Sequence, residues 1–172
     1  MNIRGTIELE GDKSISIRSI LFSLLSGEGS EIFNLGKSLD VKSAIRCVEH
    51  LGLSFNYKSN RIFEKKYNVK NIFDCGNSAT TARLLLGILI GKKIPFTIKG
   101  DKSLSGRPMQ RLINPISLMG IKIEHDHGCL PISVKKYNKI ESIKYRLPIA
   151  SAQLKSCIIL AALGAESPTE II

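Results

Sequence analysis

Four short segments carry residue types suited to holding an anion: GDKSISIR at 11–18, DCGNSATTAR at 74–83, GDKSLSGRPMQR at 100–111 and LPIASAQLK at 147–155. Three of them stand at the start of an apolar run with helical periodicity. A helix start exposes unpaired backbone N–H groups at the positive end of the macrodipole. Small residues there let a phosphate or carboxylate approach those amides. Lys13, Ser14 and Arg18 add donors at the first opening, and Ser151 and Gln153 add a hydroxyl and an amide at the third. In the remaining segment Arg107 precedes Pro108. With Pro at the first helical position, the Arg is held extended and its guanidinium projects for bidentate pairing. Ordinary helix punctuation would account for any one opening, and a surface ion pair would account for Arg107. GDKS lacks the spacing of a P-loop.

The elements behind these segments repeat. Ser14 opens SISIRSILFSLLSG, ending at Gly27, and Ser78 opens SATTARLLLGILIG, ending at Gly91; Arg18 and Arg83 fall in the early turns of the two helices. Downstream, VKSAIRCVEHLG followed by LSFNY matches MQRLINPISLMG followed by IKIEH, each helix closed by a glycine, Gly52 or Gly120. A third copy starts at LPIASAQLKSCIILAALG, with Ser151 as N-cap and Gly164 as stop. Strands are expected at Thr6 to Glu10, Glu31 to Asn34, Phe96 to Lys99 and Ile132 to Val134. The unit is strand, helix, strand, helix and a strand pair, a βαβαββ order in an α/β (α+β) fold with helices against a sheet face. Two units, at about 11–73 and 74–140, precede a partial one at 141–172. Repeat arrays rarely finish inside a unit, so the chain is expected to be truncated.

Composition narrows the classes. Of 172 residues 43% are hydrophobic and only 6% aromatic, so the core must be aliphatic. The formal charge of +10 is open to three readings: a nucleic-acid surface, attraction of small anions, or the bias of a Lys- and Ile-rich proteome. The lysines are scattered, and no zinc-finger spacing or aromatic RNA-binding motif appears, which argues against nucleic acid. Cys47, Cys75, Cys129 and Cys157 are far apart with no C-x-x-C, which suits reduced thiols rather than a metal site or disulfide scaffold. The first residues lack a signal peptide's apolar run, and the stretch Leu84 to Ile90 is too short to span a bilayer. A soluble, cytoplasmic protein without membrane contact is expected. His50, His125 and His127 share no spacing with a partner carboxylate, and His125-Asp126-His127 reads as a solvated turn.

The four segments, in this order, resemble the successive signature segments of the 5-enolpyruvylshikimate-3-phosphate synthase family, from about Gly11 to the end. UDP-N-acetylglucosamine enolpyruvyl transferase, of the same fold, is less similar over GDKSISIR and the RPM segment. The resemblance implies two domains of three βαβαββ units each, the inside-out barrel of enolpyruvyl transferases, with substrates between them. Residues 1–10 would then be a strand belonging to the second domain, and 11–172 an incomplete N-terminal domain. It also implies transfer of the enolpyruvyl group of phosphoenolpyruvate to shikimate 3-phosphate, in the shikimate pathway of aromatic amino-acid biosynthesis. Lys13, Ser14, Arg18, Ser151, Ala152 and Gln153 would hold shikimate 3-phosphate. Lys13, Asn77, Ala79, Arg107 and Gln153 would line the phosphoenolpyruvate position, with Lys13 and Arg107 acting electrostatically. The family's acid–base Asp and Glu fall beyond Ile172, so the chain alone would be inactive. A non-catalytic remnant, or one half of a split enzyme whose second domain is a separate chain, remain alternatives. No cofactor or metal is called for. Ala79 stands where many members carry Gly, as in the glyphosate-tolerant branch, which implies weak inhibition by glyphosate.

Overall fold

The computed structural model describes residues 4–26, 29–59, 61–64 and 70–172. Helix α1 (Lys13–Ser26) is followed by β1 (Ser30–Glu31), α2 (Leu39–His50), β2 (Leu53–Asn56) and β3 (Arg61–Glu64). These strands form an antiparallel sheet in the order β1-β3-β2. Next come β4 (Ile72–Asp74), α3 (Ala79–Gly91), β5 (Phe96–Lys99), the short α4 (Lys102–Ser105), α5 (Gln110–Leu118), β6 (Ile123–Asp126) and β7 (Cys129–Val134). Their sheet runs β4-β5-β7-β6, parallel between β4 and β5 and antiparallel elsewhere. Last come β8 (Lys144–Tyr145), α6 (Ala152–Ala162) and β9 (Glu170–Ile171), with β8 and β9 paired in parallel. From β4 to β7 the order is therefore the one the repeat predicts, with α4 inserted before the second helix.

Helix α3 is the centre of the core. Its residues Leu84 to Ile90 are all buried, and α1, α2 and α6 pack around it. A helix apolar on every side needs neighbours on every side. Helix α1 contributes Ile17, Ile20, Leu21 and Leu24, an i, i+3, i+4, i+7 stripe. On α3 the glycines of GILIG open one face to α6. A Cβ on Gly87 would lie 2.4 Å from the Cys157 carbonyl oxygen, and one on Gly91 would lie 2.3 Å from that of Leu160. Glycines one turn apart thus let two backbones touch, and this fixes how α6 lies along α3.

Several local expectations are corrected. Ser14 is inside α1 and does not cap it; Asp12 does, its Oδ1 accepting from Ile15 N at 2.8 Å and its carbonyl accepting from Ser16 N at 2.9 Å. A carboxylate two residues earlier serves better at the positive helix end than a hydroxyl. Gly27, expected as the stop, lies outside the described residues. Thr6 to Glu10 form no strand: among the described residues no partner strand runs beside them, and Ile7 and Leu9 are exposed. The strand expected at Glu31 to Asn34 is the two-residue β1, and Asn34 turns the chain at φ 52°. Pro108 stays outside α5, because Arg107 N closes onto the Leu104 carbonyl at the end of α4. His125 and Asp126 are strand residues. Only His127 and Gly128, at φ 46° and 77°, form the turn, as a two-residue hairpin of primed type. Among the described residues no helix is long and apolar enough to cross a membrane.

Candidate functional site

The second opening is built at the joint between β4 and α3. Ser78 caps α3: its fully buried Oγ accepts from Thr81 N at 3.3 Å and lies 2.7 Å from Thr81 Oγ1. The residue before the cap, Asn77, is thereby held at the mouth of the helix. Its Nδ2 donates to Asp101 Oδ2 at 2.8 Å and Oδ1 at 3.1 Å, and its Oδ1 accepts from Arg107 Nη2 at 2.9 Å. Asp101 is also the N-cap of α4, taking the Leu104 N–H at 2.8 Å. Hydrogen bonding from Leu104 and then from Asn77 keeps the Asp101 carboxyl below its ordinary value.

The third opening faces the second because α6 is seated on α3. Ser151 caps α6, accepting from Leu154 N at 3.3 Å, and leaves its own hydroxyl proton available. Gln153 turns back to α3: its Nε2 donates to Thr80 Oγ1 at 3.0 Å, and its Oε1 accepts from Arg83 Nη1. A cavity of about 280 Å3 opens here, lined by Arg83, Pro108, Arg111, Leu112, Ser151, Gln153 and Leu154. Its chemistry is cationic. Burial, then the charges of Arg107 and Arg111, pull Arg83 below its usual value, although a guanidinium stays protonated. Among the described residues none of these three arginines forms an ion pair with an acid.

Of the residues expected from sequence, Asn77 and Arg107 are joined directly, while Gln153 and Ser151 share the arginine cavity. Ala79 is the first residue of α3, partly buried against the core, and Ala152 is the exposed first residue of α6. The first opening is separate in its bonding. Lys13 Nζ pairs with Asp40 Oδ2 at 3.1 Å, and Arg18 Nη1 donates to the Ser14 carbonyl at 3.1 Å. Among the described residues no hydrogen bond or ion pair links Lys13, Ser14 or Arg18 to the other two openings, although α1 packs on α3. Sequence reasoning missed Arg83, Arg111, Thr80 and Asp101 as site residues. Arg83 had one usable signal: on a helix it lies one turn beyond Thr80, on the face of the opening.

Comparison with known proteins agrees on one family. The model of EPSP synthase (3-phosphoshikimate 1-carboxyvinyltransferase) matches residues 1–172. A 3-phosphoshikimate 1-carboxyvinyltransferase of Caldicellulosiruptor saccharolyticus is 41% identical over 98% of this chain, and one of a Thermoanaerobacter species is 40% identical over 98%. This chain spans 41% of the length of each of those relatives. Among solved structures, an EPSP synthase from Acinetobacter baumannii superposes with a TM-score of 0.87 at 34% identity, covering 97% of this chain and 40% of that one. The family model, the relatives and the superposition all reach the helix openings described above, and the chain belongs to the EPSP synthase family.

Proposed function

We propose that this chain is the anion-binding N-terminal part of an enolpyruvyl transferase, holding shikimate 3-phosphate and phosphoenolpyruvate for groups supplied by further polypeptide. The observation that carries this reading is the cavity lined by Arg83, Arg111, Ser151 and Gln153, where the charges of Arg107 and Arg111 bear on the half-buried Arg83 and, among the described residues, none of the three arginines forms a direct ion pair with an acid. Such a cluster is costly without an anion and complementary to one. Both proposed substrates carry phosphate, and phosphoenolpyruvate adds a carboxylate.

In this reading Lys13, Ser14 and Arg18 of α1, with Ser151, Ala152 and Gln153 of α6, hold shikimate 3-phosphate. Lys13, Asn77, Ala79, Arg107 and Gln153 line the phosphoenolpyruvate. The 5-hydroxyl gives up its proton to a base as its oxygen bonds to C2 of phosphoenolpyruvate, while the methylene carbon gains a proton from an acid. Loss of phosphate from C2 and of a proton from the methyl carbon then restores the double bond. Lys13 and Arg107 stabilise charge on the phosphate and carboxylate throughout. The proton-transfer groups come from outside this chain. Gln153 keeps one amide N–H free after bonding Thr80, whereas Asn77 spends both ends of its amide on Asp101 and Arg107.

Calorimetric titration with shikimate 3-phosphate and then phosphoenolpyruvate tests the reading. Weak binding is expected, falling as salt is raised and by about tenfold in Arg107→Ala. No heat at millimolar ligand overturns it. Turnover by this chain without another polypeptide overturns the placing of the acid–base groups elsewhere.

A further inference from the structure

The link between Asn77 and Arg107 has a third member that neither touches the cavity nor belongs to the proposed binding set. We infer that Asp101 is a positioning residue, which sets the orientation of the Asn77 amide and through it that of the Arg107 guanidinium. This rests on the anion-binding reading above.

The Asp101 carboxylate is an acceptor only, so whichever end of Asn77 faces it must be the donor. Both carboxylate oxygens meet Asn77 Nδ2, at 2.8 and 3.1 Å. The amide is thereby forced to present its oxygen to Arg107 Nη2 at 2.9 Å. Reversed, it would set its NH2 against a guanidinium and its oxygen against a carboxylate, two donor–donor and acceptor–acceptor clashes at once. Asp101 can hold Asn77 in place because it is fixed itself. Its backbone N–H donates to the Gly76 carbonyl at 2.8 Å, and its side chain caps α4 through Leu104 N at 2.8 Å. The loop before α3 and the start of α4 are thus tied together at two points.

The spacing matters as much as the anchoring. Among the described residues no ion pair joins Asp101 to Arg107; the amide stands between them. A direct pair would occupy two guanidinium N–H groups and cancel the charge. The relay uses one N–H and leaves the others, with the charge, for an anion. Asp101 therefore aims Arg107 without pairing with it directly.

Asp101→Ser separates the two jobs of the carboxylate. Serine caps a helix about as well as aspartate, so α4 is expected to stay formed. It cannot grip Asn77 with two oxygens. In amide-resolved NMR of the full chain, the Asn77 side-chain NH2 and Arg107 Nε signals are expected to move in Asp101→Ser, while signals in α6 stay. Phosphoenolpyruvate affinity is expected to fall roughly fivefold, in line with one charge-assisted hydrogen bond, and Asp101→Glu to recover part of it. In an Asn77→Ala background, adding Asp101→Ser should change affinity less than twofold, because the coupling runs through Asn77. Unmoved Asn77 signals in Asp101→Ser overturn the inference, as do losses that multiply in the double variant. If the wild-type chain binds neither phosphoenolpyruvate nor inorganic phosphate, the anion-binding reading falls, and the NMR comparison still decides the role of Asp101.

Discussion

A methyl group on Gly87 would sit 2.4 Å from the carbonyl oxygen of Cys157, so α6 crosses α3 at backbone contact. That crossing brings Gln153 to Thr80 and Arg83 across a separation of seventy residues in sequence. Gly87→Ala is expected to lose about 1–3 kcal/mol to overpacking, more than the gain of up to ~1 kcal/mol in helix propensity. Urea denaturation measures it. At Gly106 the nearest atom to an added Cβ is 3.7 Å away, and Gly106→Ala should stay within about 0.5 kcal/mol of the parent. Equal behaviour of the two variants would mean that the helices separate freely.

Gln153 separates folding from ligand binding. Gln153→Ala strands the Thr80 hydroxyl and part of the half-buried Arg83 guanidinium, at a cost of about 1–2 kcal/mol. Gln153→Glu keeps an acceptor for Arg83 and adds an opposite charge, so stability should hold. The same charge repels an incoming anion. Phosphoenolpyruvate affinity should therefore drop further in Gln153→Glu than in Gln153→Ala, the reverse of their order in stability.

The thiols should differ sharply in reactivity. Burial pushes Cys157 up to about 12. Cys75 is raised by its hydrogen bond with Cys47, 4.0 Å away, and by burial. The thiolate is the reacting form. In the native chain at pH 8, mass spectrometry should find a single early alkylation, at Cys129, the one thiol that is not buried. Early label on Cys157 would show that the α3–α6 contact opens readily.

Asp101 should also leave a mark on acid stability. Its folded pKa lies below the ordinary value of 3.8, so near that pH the unfolded chain binds more protons than the folded one. Its contribution is thus complete above about pH 5 and fades as pH falls through the folded pKa. Between about pH 5 and pH 2 the denaturation midpoint of the parent should fall more steeply than that of Asp101→Ser. Parallel curves would show that the carboxylate contributes nothing through its charge.

What the sequence made legible was local. Ser78 and Ser151 cap their helices as expected, since an N-cap is decided within three residues of itself. Ser14 misled because the helix already begins at Lys13, capped by Asp12 two positions earlier. Thr6 to Glu10 alternate like a strand, but alternation does not supply a partner, and among the described residues none lies beside them. The site was half legible. Arg107 was reached from its place before Pro108 and Asn77 through the family's signature segments, whereas Arg83 and Arg111 acquire their meaning only when α6 docks on α3 and α5 on α6. No spacing along the chain announces that convergence. Asp101 carried no signal of its own in the sequence, because its link to Asn77 exists only once β4 and β5 lie side by side.

Three guanidiniums held near one another, one of them half-buried, make the cleft a place where the fold works against its own electric field. Evolution tolerates such frustration where an outside partner relieves it. Under the proposed function an anion bound there would act as a counterion, and its binding would raise the stability of the fold with the logarithm of its concentration over its dissociation constant. Folding and occupancy would then be a single linked equilibrium.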